Sequence, residues 1–235
     1  MEYADLRAIG LRHPVAIVPN GIDVPKPFNG SHVSEPPASR GDARPYRLLY
    51  LGRLHPIKGI ELLLEAWNGL QVRHPRWELV VAGGGASAYV ASLRKLAKSL
   101  RLERLHFFGP VFGERKSQLY HASDIFVLPT KSENFGMAVA EALGHGLPVI
   151  TTRRAPWTGL VDHRCGWWVE RTHEDLSAAM EDGMQLADAV RMEMGHRGRQ
   201  WMLEEFDWDV IGSRMEAVYR WLRFGGEPPP WVKID

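Results

Sequence analysis

The chain has 235 residues with a formal net charge of +1, one cysteine and 45% hydrophobic residues. That length buries a sizeable core, while the near-neutral charge argues against nucleic acid as a partner and the lone Cys165 excludes an internal disulfide. The apolar runs are strand-sized, too short to span a bilayer, and the polar start Met1-Glu-Tyr-Ala-Asp has no signal-peptide character. A cytoplasmic globular protein is expected, with at most peripheral contact at the inner face of a membrane.

In chain order, residues 1–13 form a short helix ending near Gly10, and Pro14-Val-Ala-Ile-Val-Pro19 reads as a strand followed by an Asn20-Gly21 turn. Residues 25–45 are rich in proline, glycine and serine and read as a linker. The strand before them has nothing in sequence to pair with, and a lone strand leaves its edges unsatisfied. From Tyr46 the pattern becomes regular. Strands are expected at Arg47–Leu51, Trp77–Ala82, Leu105–Phe108, Ile125–Leu128, Leu147–Thr151 and Gly166–Val169. Helices fall between them at 60–70, 88–100 and 114–122, and three more follow at 173–190, 191–205 and 208–223. This alternation predicts an α/β fold, a doubly wound, Rossmann-like parallel sheet with extra C-terminal helices. The expected divisions are 1–45 as a remnant and linker, 46–207 as the nucleotide-binding unit, and 208–235 as a terminal helix and tail.

The stretch Ser132-Glu-Asn-Phe-Gly-Met-Ala-Val-Ala-Glu141 follows the apolar strand at 125–128. Its pattern predicts a helix from about Phe135 to Leu143, with Glu133 on the preceding loop and Glu141 two turns in. The amides of Phe135, Gly136 and Met137 are then the free donors of the first turn, an anion site with Gly136 leaving room for a phosphate. Carboxylates flanking a phosphate site suit hydroxyl-rich groups on either side of it. A hydrolase pair is disfavoured, because eight residues of helix span about 12 Å, against about 5–9.5 Å in glycosidases. Four loops at the carboxyl ends of strands bring Arg53 and Lys58, Gly83–Gly85, Val111 and Phe112, and Glu133–Met137 to one edge. Two cations, small glycines and a helix N-terminus fit a nucleoside diphosphate.

Gly52-Arg53-Leu54-x-x-x-Lys58-Gly59, the Val-Ala-Gly-Gly-Gly strand end, Phe108-Gly109-x-Val111 and Glu133-x(7)-Glu141 together resemble glycosyltransferase family 4, retaining enzymes of the GT-B fold. Pro19-Asn-Gly-Ile-Asp23 resembles the segment where the first GT-B domain hands over to the second. Ala155-Pro-Trp157 and Cys165-Gly-Trp-Trp168 resemble bacterial members that build lipopolysaccharide or capsule. The resemblance implies transfer of a sugar from a nucleotide-sugar donor to a glycan or lipid-linked acceptor. Arg53, Lys58 and Glu133 would be the catalytic residues, and Gly52, Gly84, Val111, Phe112, Asn134, Phe135, Gly136, Met137 and Glu141 would bind the donor. Arg53 and Lys58 would stabilise the departing diphosphate, Glu133 would touch the donor sugar, Glu141 the ribose, and residues near Gly109–Phe112 the base. No cofactor and no metal are expected, since the two cations do the charge work.

Family members carry two such domains, and this sequence resembles the second. Three readings follow: an enzyme or half-enzyme, a non-catalytic nucleotide-sugar binding module or relic, and a subunit completed by a separate N-terminal-domain chain or a homo-oligomer. The 208–223 helix and the strand at 14–18 are expected to expose apolar surface. Asp207-Trp-Asp209 resembles the DxD metal motif of another glycosyltransferase fold, but a helix cap at Asp207 with a buried Trp208 is the favoured account. His145 is read as a turn residue after a helix, and the basic helix 93–101 as an ordinary amphipathic helix of the sheet.

Overall fold

Buried β-branched and leucine-rich runs set the frame. A computed structural model describes residues 2–25 and 44–234. In chain order these form α1 (Glu2–Ala8), β1 (Val15–Ala16), β2 (Tyr46–Leu51), a 3-10 turn (Pro56–Lys58), α2 (Ile60–Leu70), β3 (Trp77–Ala82), α3 (Ser87–Ser99) and β4 (Leu105–Phe108). There follow α4 (Gly113–His121), β5 (Ile125–Leu128), α5 (Met137–Gly144), β6 (Val149–Thr152), α6 (Gly159–Asp162) and β7 (Gly166–Val169). The chain ends with α7 (His173–Gln185), α8 (Asp188–Glu205), α9 (Trp208–Phe224) and β8 (Val232–Lys233).

Six strands make one parallel sheet in the order β4-β3-β2-β5-β6-β7. Every residue of β3, β5 and β6 is buried, whereas β4, at one edge, alternates between half-buried and exposed positions. Continuous apolar runs therefore mark strands covered on both faces. Helix α2 packs on α7, and α5 on α8. Trp67, fully buried on α2, keeps its indole satisfied by donating to the Glu103 carbonyl at 3.0 Å.

The order also locates the ligand crevice. From β2 the chain moves outward to β3 and β4, then returns to place β5 on the other side of β2. Loops leaving the carboxyl ends of β2 and β5 diverge there, and ligands of open α/β sheets bind in the gap.

Several expectations need correction. The predicted helix from Phe135 starts at Met137, because Gly136 takes a left-handed conformation (φ 86°) and caps it. The strand expected from Leu147 begins at Val149, since Pro148 has no N–H for the ladder. The boundary placed near residue 190 falls at Leu186–Ala187, both extended (ψ 145° and 150°). The strand at 14–19 shrinks to two residues and has a partner: Val15 and Ala16 pair antiparallel with Lys233 and Val232 of the C-terminal tail. Most of the 25–45 linker, residues 26–43, lies outside the described residues.

Asp207 caps α9 as expected, its carboxylate accepting from the Asp209 amide at 3.0 Å. Trp208 is not buried; it is 52% exposed and packs against Gly21, where a Cβ would stand 2.4 Å from its ring. Ile22 is buried in the core and bridges to Asp207, its amide donating to the Phe206 carbonyl. Helix α3 turns Leu93 and Ala97 inward, the behaviour of an ordinary amphipathic helix. No helix among the described residues is long and apolar enough to cross a membrane.

Candidate active site

The loop after β2 reaches the loop after β5 through a glycine. Gly59 is left-handed (φ 69°), and a Cβ there would stand 2.1 Å from the Pro129 carbonyl oxygen. Only glycine lets the two loops touch. The contact is stitched on both sides: the Lys131 amide and the Thr130 hydroxyl both donate to the Ile57 carbonyl, at 2.7 and 3.1 Å. His55 caps the 3-10 turn, its Nδ1 accepting from the Ile57 amide. At the end of that turn Lys58 extends to Glu133, with Nζ and Oε1 2.5 Å apart. The side chains are 19% and 10% exposed.

Arg53 is exposed, and among the described residues no carboxylate lies within ion-pair distance of it. Its carbonyl accepts from the hydroxyl of Tyr50, a fully buried residue at 2.8 Å. Burial, then the nearby Tyr89 and Glu133 oxygens, raise the Tyr50 pKa far above its ordinary value, so it remains a donor. This holds the Arg53 backbone while its side chain stays available.

Between these loops lies an open cavity of about 490 Å³, lined by Gly52, Arg53, Lys58, Glu133, Asn134, Phe135, Gly136 and Met137, together with Asn20, Ser132 and Ala138. Eight of the twelve residues singled out from sequence thus meet in one place. The helix donors differ from expectation. Gly136 precedes α5, and its carbonyl accepts from Val139 and Ala140, so the first-turn amides without an intrahelical acceptor belong to Met137 and Ala138. Phe135 lies before the helix and has another task. Its carbonyl accepts from the Trp157 indole at 2.5 Å, and its ring packs against Trp157 and Phe206.

Gly84, Val111, Phe112 and Glu141 do not line this cavity. Gly84 packs on Pro110 and accepts from the Leu54 amide. Val111 is packed against the core, and Phe112, 77% exposed, precedes α4. Glu141 turns toward α4: Lys116 Nζ lies 2.7 Å from its Oε1, and the Tyr120 hydroxyl donates to Oε2 at 3.0 Å. Each glutamate of the pair is therefore held by its own lysine. Tyr120 is fully buried; burial first, then Glu141, push its pKa well up, so the phenol stays protonated. His145 caps α5, with Nδ1 2.7 Å from the Glu141 carbonyl and Nε2 3.0 Å from the Ser117 hydroxyl, and it stacks on Tyr120. Burial lowers its pKa.

Sequence reading missed Lys116, Tyr120 and Asn20. A lysine and a tyrosine on a polar helix give no signal of which carboxylate they will meet. Asn20 looks like a turn residue until the burial of nearby Ile22 brings it onto the cavity lining. Among the described residues no group of three or more His, Cys, Asp or Glu side chains is placed to hold a metal ion.

The same architecture recurs in known proteins. The chain is 29% identical over 215 residues to D-inositol 3-phosphate glycosyltransferase of Corynebacterium jeikeium, covering 87% of this chain and 51% of that protein. Sucrose-phosphate synthase from Thermosynechococcus elongatus superposes with a TM-score of 0.67 at 26% identity, covering 78% of this chain and 47% of the other. The C-terminal domain of the glycosyl transferase group 1 family protein LpcC from Francisella tularensis gives 0.62 at 22% identity, covering 70% of this chain and 89% of that domain. The chain spans about half the length of the curated relatives it matches, and its fold is that of the C-terminal, Rossmann-like domain of GT-B glycosyltransferases. The family model described as "Glycosyl transferases group 1" matches residues 35–201, more than half the chain. The chain belongs to the glycosyl transferases group 1 family.

Proposed function

We propose that this chain supplies the donor-binding half of a retaining glycosyltransferase that moves a sugar from a nucleotide-sugar to a glycan or lipid-linked acceptor of cell-surface polysaccharide or lipopolysaccharide. The observation that carries the reading is the meeting of Arg53, Lys58, Glu133 and the α5 N-terminus around one cavity at the switch point of the sheet. A diphosphate there takes a forked donor from Arg53, a compact charge from Lys58 and backbone N–H groups from Met137 and Ala138. As the bond from sugar to diphosphate breaks, negative charge grows on the leaving oxygens, and these fixed positive groups lower the barrier without a divalent ion. Glu133 accepts from donor-sugar hydroxyls once the phosphate draws the Lys58 ammonium toward itself. Beyond the cavity, Glu141, oriented by Tyr120 and Lys116, accepts from the ribose hydroxyls, and the base extends along Gly109–Phe112.

Calorimetric titration with UDP-, GDP- and ADP-sugars tests this reading beside Glu141→Ala and Arg53→Ala. Binding of one nucleotide class, weakened severely in both variants, is the expected result and names the base. Normal donor affinity in Arg53→Ala overturns the role given to that residue. No binding of any class to folded protein removes the donor site. Binding without turnover in the presence of acceptors favours a binding module or a subunit completed by another chain.

A further inference from the structure

Strand β4 stands at one end of the sheet, and among the described residues no strand lies beyond it. On its inner side the Leu79 amide donates to the Arg104 carbonyl at 2.8 Å, and the Gly83 amide to the Phe108 carbonyl at 3.3 Å. Backbone groups of a parallel strand alternate in direction, so the N–H and C=O groups of Leu105 and Phe107 point away from the sheet. Such a row is a template for another extended chain.

The surface around this edge is one-sided in charge. Helix α3, which joins β3 to β4, contains no acidic residue. Arg94, Lys95 and Lys98 on it and Arg101 just after it are exposed, and among the described residues none of them makes an ion pair. Arg94 lies over the Phe107 ring at 4.9 Å, which brings this positive face directly above β4. The carboxylates nearby are taken. Glu78 sits between Arg47 at 2.6 Å and His106 at 3.2 Å, and Glu103 lies 3.6 Å from Arg104. In a chain of net charge +1, unopposed cations gathered beside one strand are a local surplus. The opposite face of β4 differs in kind, with Phe108 47% exposed.

We infer that the outer edge of β4 is a docking site for an acidic, extended peptide segment of another protein, which adds to the sheet as a further strand. Alternate side chains of an added strand point to opposite faces. Its acidic residues then lie under α3, and the apolar residues between them cover Phe108. A second copy of this chain fits poorly. Antiparallel pairing of two β4 strands sets the two-fold axis perpendicular to the sheet, so both α3 helices come to one face and their cations oppose each other. The inference is independent of the donor reading, because the cavity described above opens between the loops after β2 and β5.

The probe is a fluorescein-labelled peptide of alternating glutamate and valine, followed by anisotropy, with amide hydrogen exchange of the nitrogen-15-labelled chain measured in parallel. Saturable binding is expected, with exchange at Leu105 and Phe107 slowed about tenfold or more. Proline at the two central valines removes donors from the added strand and is expected to weaken binding about tenfold or more. Lys95→Glu/Lys98→Glu, a change at two exposed side chains, is expected to do the same in a chain that stays folded by circular dichroism. Equal affinity for the proline peptide leaves charge alone and overturns strand addition. Equal affinity in the double variant overturns the part given to α3. No saturable binding, or binding without protection at Leu105 and Phe107, overturns the site itself. Capture of phosphatidylserine vesicles without peptide binding assigns the cations to a lipid surface, and protection that rises with protein concentration alone assigns the edge to a second copy. Either result overturns the inference.

Discussion

Replacing Lys58 with methionine keeps the length of the side chain and removes its charge. Glu133 then remains with a side chain 10% exposed and no countercharge. Breaking a buried pair from one side costs about 3–5 kcal/mol. Here the carboxylate borders an open cavity of about 490 Å³, where water reaches it, so about half that penalty, roughly 2 kcal/mol, is expected to survive. For a chain of this size about 2 kcal/mol lowers the melting temperature by roughly 4–8 °C. The companion Glu133→Gln in the Lys58→Met background removes the stranded charge and is expected to recover most of that loss, with a coupling of about 1–2 kcal/mol in the double-mutant cycle. Thermal unfolding by circular dichroism at pH 7.5 measures all four corners. Salt is a further check, because a pair this enclosed is screened far less than an exposed one such as Arg220–Glu216. A Lys58→Met melting temperature within a degree of the parent, or no recovery in the double variant, refutes the account of a ligand-ready cation held in reserve by Glu133.

Two other outcomes follow from the Glu141 cluster. Tyr120→Phe deletes the hydrogen bond to Glu141 Oε2 and is expected to weaken nucleotide binding about fivefold, near 1 kcal/mol. Inorganic pyrophosphate, which lacks a ribose, should bind as before; calorimetry with both ligands separates orientation of Glu141 from general damage, and unchanged nucleotide affinity contradicts the role given to Tyr120. Burial lowers the pKa of His145, and burial followed by Arg199 lowers that of His121, from the ordinary 6.5. Below about pH 6.5 the unfolded chain takes up protons that the native imidazoles refuse, so stability falls as the pH falls until the native groups themselves titrate. The urea midpoint is expected to drop between pH 7.5 and 5.5, and His145→Gln to flatten that slope; an equal slope in the variant contradicts the assignment.

The sheet was legible because its strands are written as unbroken apolar runs, and a buried parallel strand has no other pattern to compete with it. Trp77–Ala82 and Ile125–Leu128 came out at their observed limits for that reason. Local chemistry moved the ends: Gly136 delays α5 by its left-handed turn, and the break at Leu186–Ala187 has no proline, while the nearby Gly183 stays inside α7. The candidate site was legible as a set of loops and not as a set of contacts. Lys58 and Glu133 lie 75 residues apart, and nothing in either neighbourhood states that they meet. The Lys116–Glu141 contact is hidden in the same way, since α4 reads as a polar surface helix. A two-residue strand inside a proline-rich tail carries no periodicity at all, so the partner of Val15 and Ala16 was invisible.

That small ladder between β1 and β8 has a kinetic consequence. Once Ile22 is bridged to Asp207, pairing Ala16 with Val232 closes a loop of about 30 residues, an entropic cost of about 3 kcal/mol. Two residue pairs offset that with few hydrogen bonds, so this closure belongs among the last steps of folding and the first to reverse. Amides of Ile17 and Val232, both bonded within this arm, should exchange with solvent deuterium through a local opening, long before those of β3. Because Val15–Val18 lines a cavity of about 720 Å³ together with Glu133 and Asn134, the arm's opening and closing sets how often that cavity is complete, and exchange at Ile17 becomes a clock for it.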